Sequence, residues 1–201
     1  MKLVLATNND HKAKEIKQIL SDLKAEILTL KDFPAYRIPE EKGKTLEENA
    51  LLKAKSAFEH TDIVSIADDS GLEVDALGGS PGVMSARFAG PGCTYKDNNV
   101  KLLNLMKDVP DAKRGAAFRC VVAIVFDLDK VRIVEGEVRG IITNEERGEG
   151  GFGYDPVFYY PPLEKTFAQL KPEEKNKVSH RCVAFRKAQE ILQKFAGGKN
   201  A

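Results

Sequence analysis

Residues 3–12 read Leu3-Val4-Leu5-Ala6-Thr7-Asn8-Asn9-Asp10-His11-Lys12. The apolar run with β-branched content suits a buried strand, and the polar run after it leads into Ile16, Ile19, Leu20 and Leu23. That i, i+3, i+4, i+7 spacing is the signature of an amphipathic helix. A strand, a short polar loop and a helix start follow one another at the head of the chain, which is the opening of an α/β fold. Such a junction presents unpaired backbone N–H groups and the positive end of a helix dipole, a ready place for an anion.

Working outward, a second strand is expected near Glu26 to Leu30, followed by an irregular stretch from Lys31 to Lys44 containing Pro34, Pro39 and Gly43. Thr45-Leu46-Glu47-Glu48 fits a capping box and opens a helix to about Glu59. The apolar run Ile63 to Ala67 is expected to end at Asp68-Asp69-Ser70-Gly71, with an alternating pattern resuming from Leu72 to Leu77. A helix is expected over about Thr94 to Lys107, with Val100, Leu103 and Met106 facing inward. Ala116 to Leu128 and Val131 to Thr143 are β-rich runs joined near Asp129-Lys130, which reads as an antiparallel hairpin and makes the sheet mixed. A short strand at Val157 to Tyr160, a polar region and a last helix from about Ser179 to Phe195 complete the chain; Ala184, Ala188, Ile191, Leu192 and Phe195 form that helix's buried stripe. No repeat or linker interrupts the pattern, so a single domain over 1–201 is expected.

Composition narrows the function. Thirty-one Lys and Arg against 30 Asp and Glu leave a formal charge of +1, which argues against a nucleic-acid polymer as partner, because backbone affinity comes from excess positive charge. No apolar stretch of about 18 residues is present, so no membrane span is expected. Cys93, Cys120 and Cys182 lie far apart and form no CxxC pair, which suits reduced thiols. Together with the lack of a secretory signal pattern at the N-terminus, this predicts a cytoplasmic protein.

Several constellations could carry chemistry. Gly148-Glu149-Gly150-Gly151-Phe152-Gly153 matches GxGxxG, but β-prone residues follow it instead of a helix, which excludes a dinucleotide fingerprint. Its glycines could let the backbone approach a flat or phosphorylated ligand, with Phe152 and Tyr154 stacking on a base; a plain glycine-rich turn is the alternative. Gly43-Lys44-Thr45 resembles the end of a P-loop, but Ile38 stands where the first glycine is required. Asp68-Asp69 at a strand end is either a solvated turn or a Mg²⁺-ligating position, and strand alternation turns the two side chains apart. Glu40-Glu41 could complete such a shell or be surface charge. Lys175, His180 and Arg181 at or before the last helix start oppose its dipole, which points to an anion as compensation. His11, His60 and His180 are scattered and form no metal-spaced pair.

Taken together, the opening segment, Glu41-Lys42-Gly43-Lys44-Thr45 to Glu48-Asn49-Ala50, Ala67-Asp68-Asp69-Ser70-Gly71-Leu72, Pro81 to Arg87, Gly150 to Pro156 and Ser179-His180-Arg181 resemble the inosine/xanthosine triphosphate pyrophosphatases over nearly the whole chain. The resemblance implies an elongated α/β fold with a mixed central β-sheet flanked by helices, in two lobes with an active-site cleft between them, and a homodimer. It implies Mg²⁺-dependent hydrolysis of ITP, dITP or XTP to the monophosphate and pyrophosphate. By the same resemblance Thr7, Asn8, Asn9, Asp10, His11 and Lys12 hold the triphosphate, Lys53 faces the phosphates, Asp69 is proton acceptor and metal ligand, and Ser70 contacts substrate. Glu41, with Glu40 as the alternative, is the second metal carboxylate, while Phe152, Gly153, Tyr154, Asp155, Lys175, His180 and Arg181 meet the nucleotide. Asp10 departs from the family's usual small residues, and beside phosphate its charge is unfavourable unless it points away. The near-zero net charge is then expected to hide a local positive excess from Lys12, Lys53, Lys175 and Arg181. Donors in the site favour a 6-oxo purine over adenine, whose amino group leaves them unpaired. A nucleotide sensor without turnover and a pyrophosphatase for modified pyrimidine nucleotides are the competing readings.

Overall fold

The structure is a computed structural model that describes residues 1–198; residues 199–201, the end of the expected domain, lie outside it. The chain forms strands β1 (Lys2–Leu5), β2 (Glu26–Thr29), β3 (Ser65–Val74), β4 (Gly115–Asp127), β5 (Lys130–Ile142), β6 (Phe158–Tyr160) and β7 (Lys165–Thr166). Its α-helices are α1 (Asp10–Ile19), α2 (Leu46–Thr61), α3 (Tyr95–Leu105), α4 (Pro172–Val178) and α5 (His180–Ala196). The strands make one seven-stranded sheet in the order β2-β1-β3-β4-β5-β6-β7. β1 runs parallel to β2, with Leu3 opposite Ile27, and parallel to β3, with Leu5 opposite Ile66. β6 is antiparallel to both β5 and β7. β4 and β5 are neighbours joined by Leu128 and Asp129 alone, and so short a turn returns the chain antiparallel. The sheet is therefore mixed, as the long hairpin predicts.

Helix starts follow local chemistry. Asn9 caps α1, its Oδ1 accepting from Lys12 N at 3.1 Å. Thr45 Oγ1 accepts from Glu48 N at 3.1 Å, while Glu48 Oε2 reaches back to Lys44 N, one residue earlier than a full capping box requires. Thr94 and Asp97 close a complete box ahead of α3.

By internal contacts the chain divides into two compact units: one of Met1–Asp69, Cys120–Gly136 and Arg181 onward, the other of Ser70–Arg119 and Glu137–His180. The first is built on Leu3, Leu5, Ile16, Leu20, Ile66, Val122, Ile124, Phe185 and Leu192, all buried. In the second, Phe118, Phe158 and Phe167 pack together, Phe118 to Phe158 at 4.5 Å and Phe158 to Phe167 at 4.9 Å between ring centroids. Arg114, 2% exposed, donates to the carbonyls of Met106, Ile142 and Thr143 at 2.6–2.7 Å and so ties the end of α3 to the end of β5.

Three features differ from the sequence expectation. β3 does not stop at Asp68 but passes through Asp68-Asp69-Ser70-Gly71 to Val74, both aspartates being buried. Val100 is 47% exposed, and the inward face of α3 carries Asn98, Asn99 and Leu102. The polar region before the last helix contains α4, whose Pro172 sits in the first turn, where a missing N–H costs nothing. Replacement of Arg114 by Met should lower the unfolding free energy by about 3 kcal/mol or more, because buried carbonyls lose a charged donor. Equilibrium denaturation checks it, and a change under about 1 kcal/mol would show that those carbonyls find other partners.

Candidate active site

In the first unit the site grows from β3. Alternation along the strand sends consecutive carboxylates to different partners. Asp68 Oδ2 lies 2.8 Å from Lys12 Nζ, 3.8 Å from Arg181 Nε and 3.9 Å from Cys120 Sγ. Arg181 also meets Glu15 through Nη1. Burial alone would raise the Asp68 carboxyl, but Lys12, Arg181 and Lys53 hold it well below the ordinary carboxylate range. Burial likewise opposes the Arg181 charge, and Glu15 with Asp68 more than restores it.

Asp69 faces a different set. Its Oδ2 accepts from Asn49 Nδ2 at 3.1 Å, and its Oδ1 lies 3.5 Å from Lys53 Nζ. Lys53 Nζ is in turn 2.5 Å from Glu41 Oε1. Burial raises the Asp69 carboxyl, with Glu41 adding to the rise and Lys53, Lys12 and Asn49 opposing it. Burial works against the Lys53 ammonium, but Asp69, Asp68 and Glu41 together keep its proton more firmly bound than usual. Asn49 also accepts from Gly43 N at 2.8 Å, which fastens the loop carrying Glu41 beside α2.

The implied Mg²⁺ can be tested against this donor set. Among the described residues no group of three or more His, Cys, Asp or Glu side chains could cage a metal. Glu41 and Asp69 nevertheless both reach one cationic nitrogen, so two hard carboxylates already converge around a positive charge. One or two carboxylates, with the rest of the shell from water and phosphate, is the set Mg²⁺ uses beside nucleotides, and the residues fit it. Glu40 is exposed and pairs with Lys42 at 3.1 Å, away from this set.

Of the loop after β1, Thr7 and Asn9 are half-buried and Thr7 Oγ1 accepts from Asn9 N, while Asn8, Asp10 and His11 are exposed. Asp10 opens α1, where its charge suits the dipole, and pairs with Lys31 at 2.9 Å. Thr7, Asn8 and Asp10 also line a groove of about 540 Å³ with Lys14, Lys17 and Arg37.

In the second unit Ser70 is half-buried. Asp155 Oδ2 accepts from Phe152 N at 2.8 Å and from Lys175 Nζ at 2.5 Å, and Lys175 Nζ lies 4.7 Å over the Phe152 ring. His180 stacks on Phe118 at 4.6 Å. The structure corrects three expectations. Tyr154 offers no stacking face: it is 4% exposed and its hydroxyl donates to Ser85 O at 2.9 Å. Most of the loop's glycines serve the protein itself, since a Cβ would strike Ala168 from Gly148 and Gly150 and the Asp155 carboxylate from Gly151; only Gly153 faces open space. Lys175 and Arg181, read as waiting for an external anion, are answered by Asp155, Glu15 and Asp68, so the positive excess is compensated from within. Sequence reading missed Glu15, Asn49 and Asn99. Glu15 lies one helical turn after Lys12, a spacing that could have flagged it; a buried Asn leaves no such pattern.

The chain matches the Ham1 family over residues 3–191 and belongs to it. It is 50% identical over 97% of its length, and 97% of the other protein, to a protein of Desulforamulus reducens named dITP/XTP pyrophosphatase. It is similar to a HAM1 protein structure from Coxiella burnetii, at TM-score 0.89 and 38% identity over 96% of this chain and 99% of that one. The Ham1 protein structure of Staphylococcus aureus matches at TM-score 0.85 and 40% identity over 97% of this chain and all (100%) of the other.

The depressed Asp68 carboxyl sets a pH dependence. Its stabilisation is complete above the ordinary value of 3.8 and is lost as pH falls below it toward the folded-state value. Unfolding free energy should therefore decline below about pH 4, and Asp68→Asn should remove that part of the decline. At pH 7 the variant should be about 3–5 kcal/mol less stable, because Lys12 and Arg181 keep buried charge without its partner. Denaturation curves across pH measure both, and an unchanged acid slope in the variant would contradict the assignment.

Proposed function

We propose that this chain is a nucleoside triphosphate pyrophosphatase that converts dITP, ITP and XTP, with water, into the monophosphate and pyrophosphate, acting as one domain. The observation that carries the reading is the cluster of buried Asp69 and Lys53 with half-buried Glu41, in a chain half identical to a protein named for this activity. A triphosphate brings about four negative charges, which the start of α1 meets together with a metal ion, because Lys12 and Lys53 are already paired with Asp68, Asp69 and Glu41. Asp69 takes the proton from the attacking water; Asn49 holds its Oδ2, which leaves Oδ1 as the accepting atom. Mg²⁺ held by Glu41 and Asp69 would neutralise phosphate charge and orient water. Glu41 is preferred to Glu40 because it already shares a cation with Asp69.

The half-buried Phe152 ring supplies a stacking face for the purine and Ser70 contacts the substrate, while His180, buried and stacked on Phe118, supports the base site from beneath. Lys175 holds Phe152 in place through Asp155, and Arg181 keeps Asp68 ionised. Donors in such a site select the 6-oxo group of hypoxanthine or xanthine. The protein is further proposed to work in the cytoplasm as a homodimer. Among the described residues no helix is long and apolar enough to cross a membrane, and Met84, Tyr95, Val100 and Leu105 leave apolar surface exposed for a second copy.

Incubation of ITP with enzyme and Mg²⁺ should give IMP and pyrophosphate; IDP and orthophosphate would refute the reaction class. Asp69→Asn should cut turnover by about 10²–10⁴-fold while leaving the circular dichroism spectrum unchanged. Turnover within about threefold of wild type would remove Asp69 from the chemistry.

A further inference from the structure

Asn98 and Asn99 are consecutive in α3 and both 2% exposed, but their hydrogen bonds go to different places. Asn98 accepts from Ala89 N at 2.7 Å and donates to Ala86 O at 3.3 Å, so it secures the segment just before its own helix. Asn99 instead sends its Nδ2 to Glu146 Oε1 at 2.8 Å and Gly153 O at 3.1 Å. Both neighbours are acceptors, which fixes the orientation of the amide. Its Oδ1, equally buried, has no hydrogen-bond partner among the described residues. Burying an amide is costly unless it is bonded, and here the whole compensation comes from the two ends of the glycine-rich loop.

That loop needs closing. Gly148, Gly151 and Gly153 sit at φ of +87°, +69° and +63°, and a glycine-rich segment has much freedom to lose when it is ordered. A single NH₂ group joins its start at Glu146 to its end at Gly153 and so limits where Phe152, between them, can go. α3 contributes a second support: Tyr95, one turn before Asn99, packs its ring 6.0 Å from that of Phe152. The capping box at Thr94 fixes the start of the same helix.

We propose that Asn99 is a positioning residue for base recognition, closing the loop of residues 146–153 so that Phe152 is held ready to stack on the purine. The proposal rests on the reading that Phe152 meets the base. Asn99 acts through the loop and touches no reacting atom. Its loss should therefore raise KM and blur discrimination, with little effect on kcat or on how the triphosphate is held.

Asn99→Asp keeps the shape of the side chain but turns a carboxylate toward the Glu146 carboxylate and the Gly153 carbonyl; Asn99→Ser removes the bridge without adding charge, and Asn98→Ser is the structural control. Kinetics with ITP and GTP, inhibition by inorganic tripolyphosphate, melting temperature and amide hydrogen exchange without nucleotide are measured for each. KM for ITP should rise about tenfold in both Asn99 variants, with kcat within about threefold and a smaller preference for ITP over GTP. Tripolyphosphate inhibition should be unchanged, and Glu146→Gln should partly rescue Asn99→Asp by restoring a donor between the two side chains. Exchange at residues 150–153 should quicken about tenfold in the Asn99 variants and not in Asn98→Ser. Unchanged exchange in both Asn99 variants would overturn the proposal, as would a fall in melting temperature equal to that of Asn98→Ser with KM and preference unmoved. Wild-type enzyme that fails to release pyrophosphate from ITP would refute the proposed activity instead, and the exchange experiment would still decide whether Asn99 closes the loop.

Discussion

The Asp68 carboxylate carries a charge at a place where its side chain is fully shielded from water, and the first unit is arranged around meeting that requirement. An isolated buried carboxylate is costly enough that it would take up a proton or unfold the segment that holds it. Lys12 from α1 and Arg181 from α5 converge on it, and Glu15 in turn balances Arg181. Three segments far apart in the chain, the opening of α1, the middle of β3 and the opening of α5, are thereby held to one point. The apolar core beside it is non-directional and would tolerate small slips; an ion network does not, because a slip leaves a charge unpaired.

Once Asp68 is fixed, the next residue is fixed as well. The pleat turns Asp69 to other neighbours, where its compensation is weaker: a neutral amide, one lysine at 3.5 Å and a second acid sharing that lysine. Adjacent aspartates thus end with carboxyls displaced in opposite directions, one held ionised by surplus cations and one pushed up by burial. Environments that drive paired titratable groups apart are how a fold separates a structural charge from a reactive one.

Much of this was legible before the structure. The β1 to α1 junction, the cap at Thr45 and the long hairpin are local signals, and local chemistry decides them. β3 misled because its neutralising partners come from distant residues: read locally, Asp68-Asp69-Ser70-Gly71 is a turn, and only Lys12, Arg181 and Lys53 make it an interior strand. Asn49 and Asn99 were invisible for the same reason, since a polar residue on an amphipathic helix reads as solvent-facing until its buried acceptor is known. Val100 reads as inward because apolar periodicity points to it, whereas two asparagines occupy the inner face of α3. The family resemblance supplied the roles that spacing could not, because Glu41, Lys53 and Asp69 form no contiguous motif.

Charge balance shows where the local reading of cations has to change. Lys12, Lys53 and Arg181 are matched in the buried network of the first unit by Glu15, Glu41, Asp68 and Asp69, three cations to four carboxylates. The network is not a positive cradle for a bare triphosphate, as a list of its lysines and arginine suggests. These ion pairs hold one more carboxylate than cation, so the lysines and arginine are already engaged before a polyanion arrives. Under the proposed reading, a divalent cation carried with the phosphates would reverse that sign, with Glu41 and Asp69, which already share Lys53, as the pair to hold it. On that reading the network would favour the metal complex of a nucleotide over the free nucleotide, a local charge arrangement that the overall charge of +1 conceals.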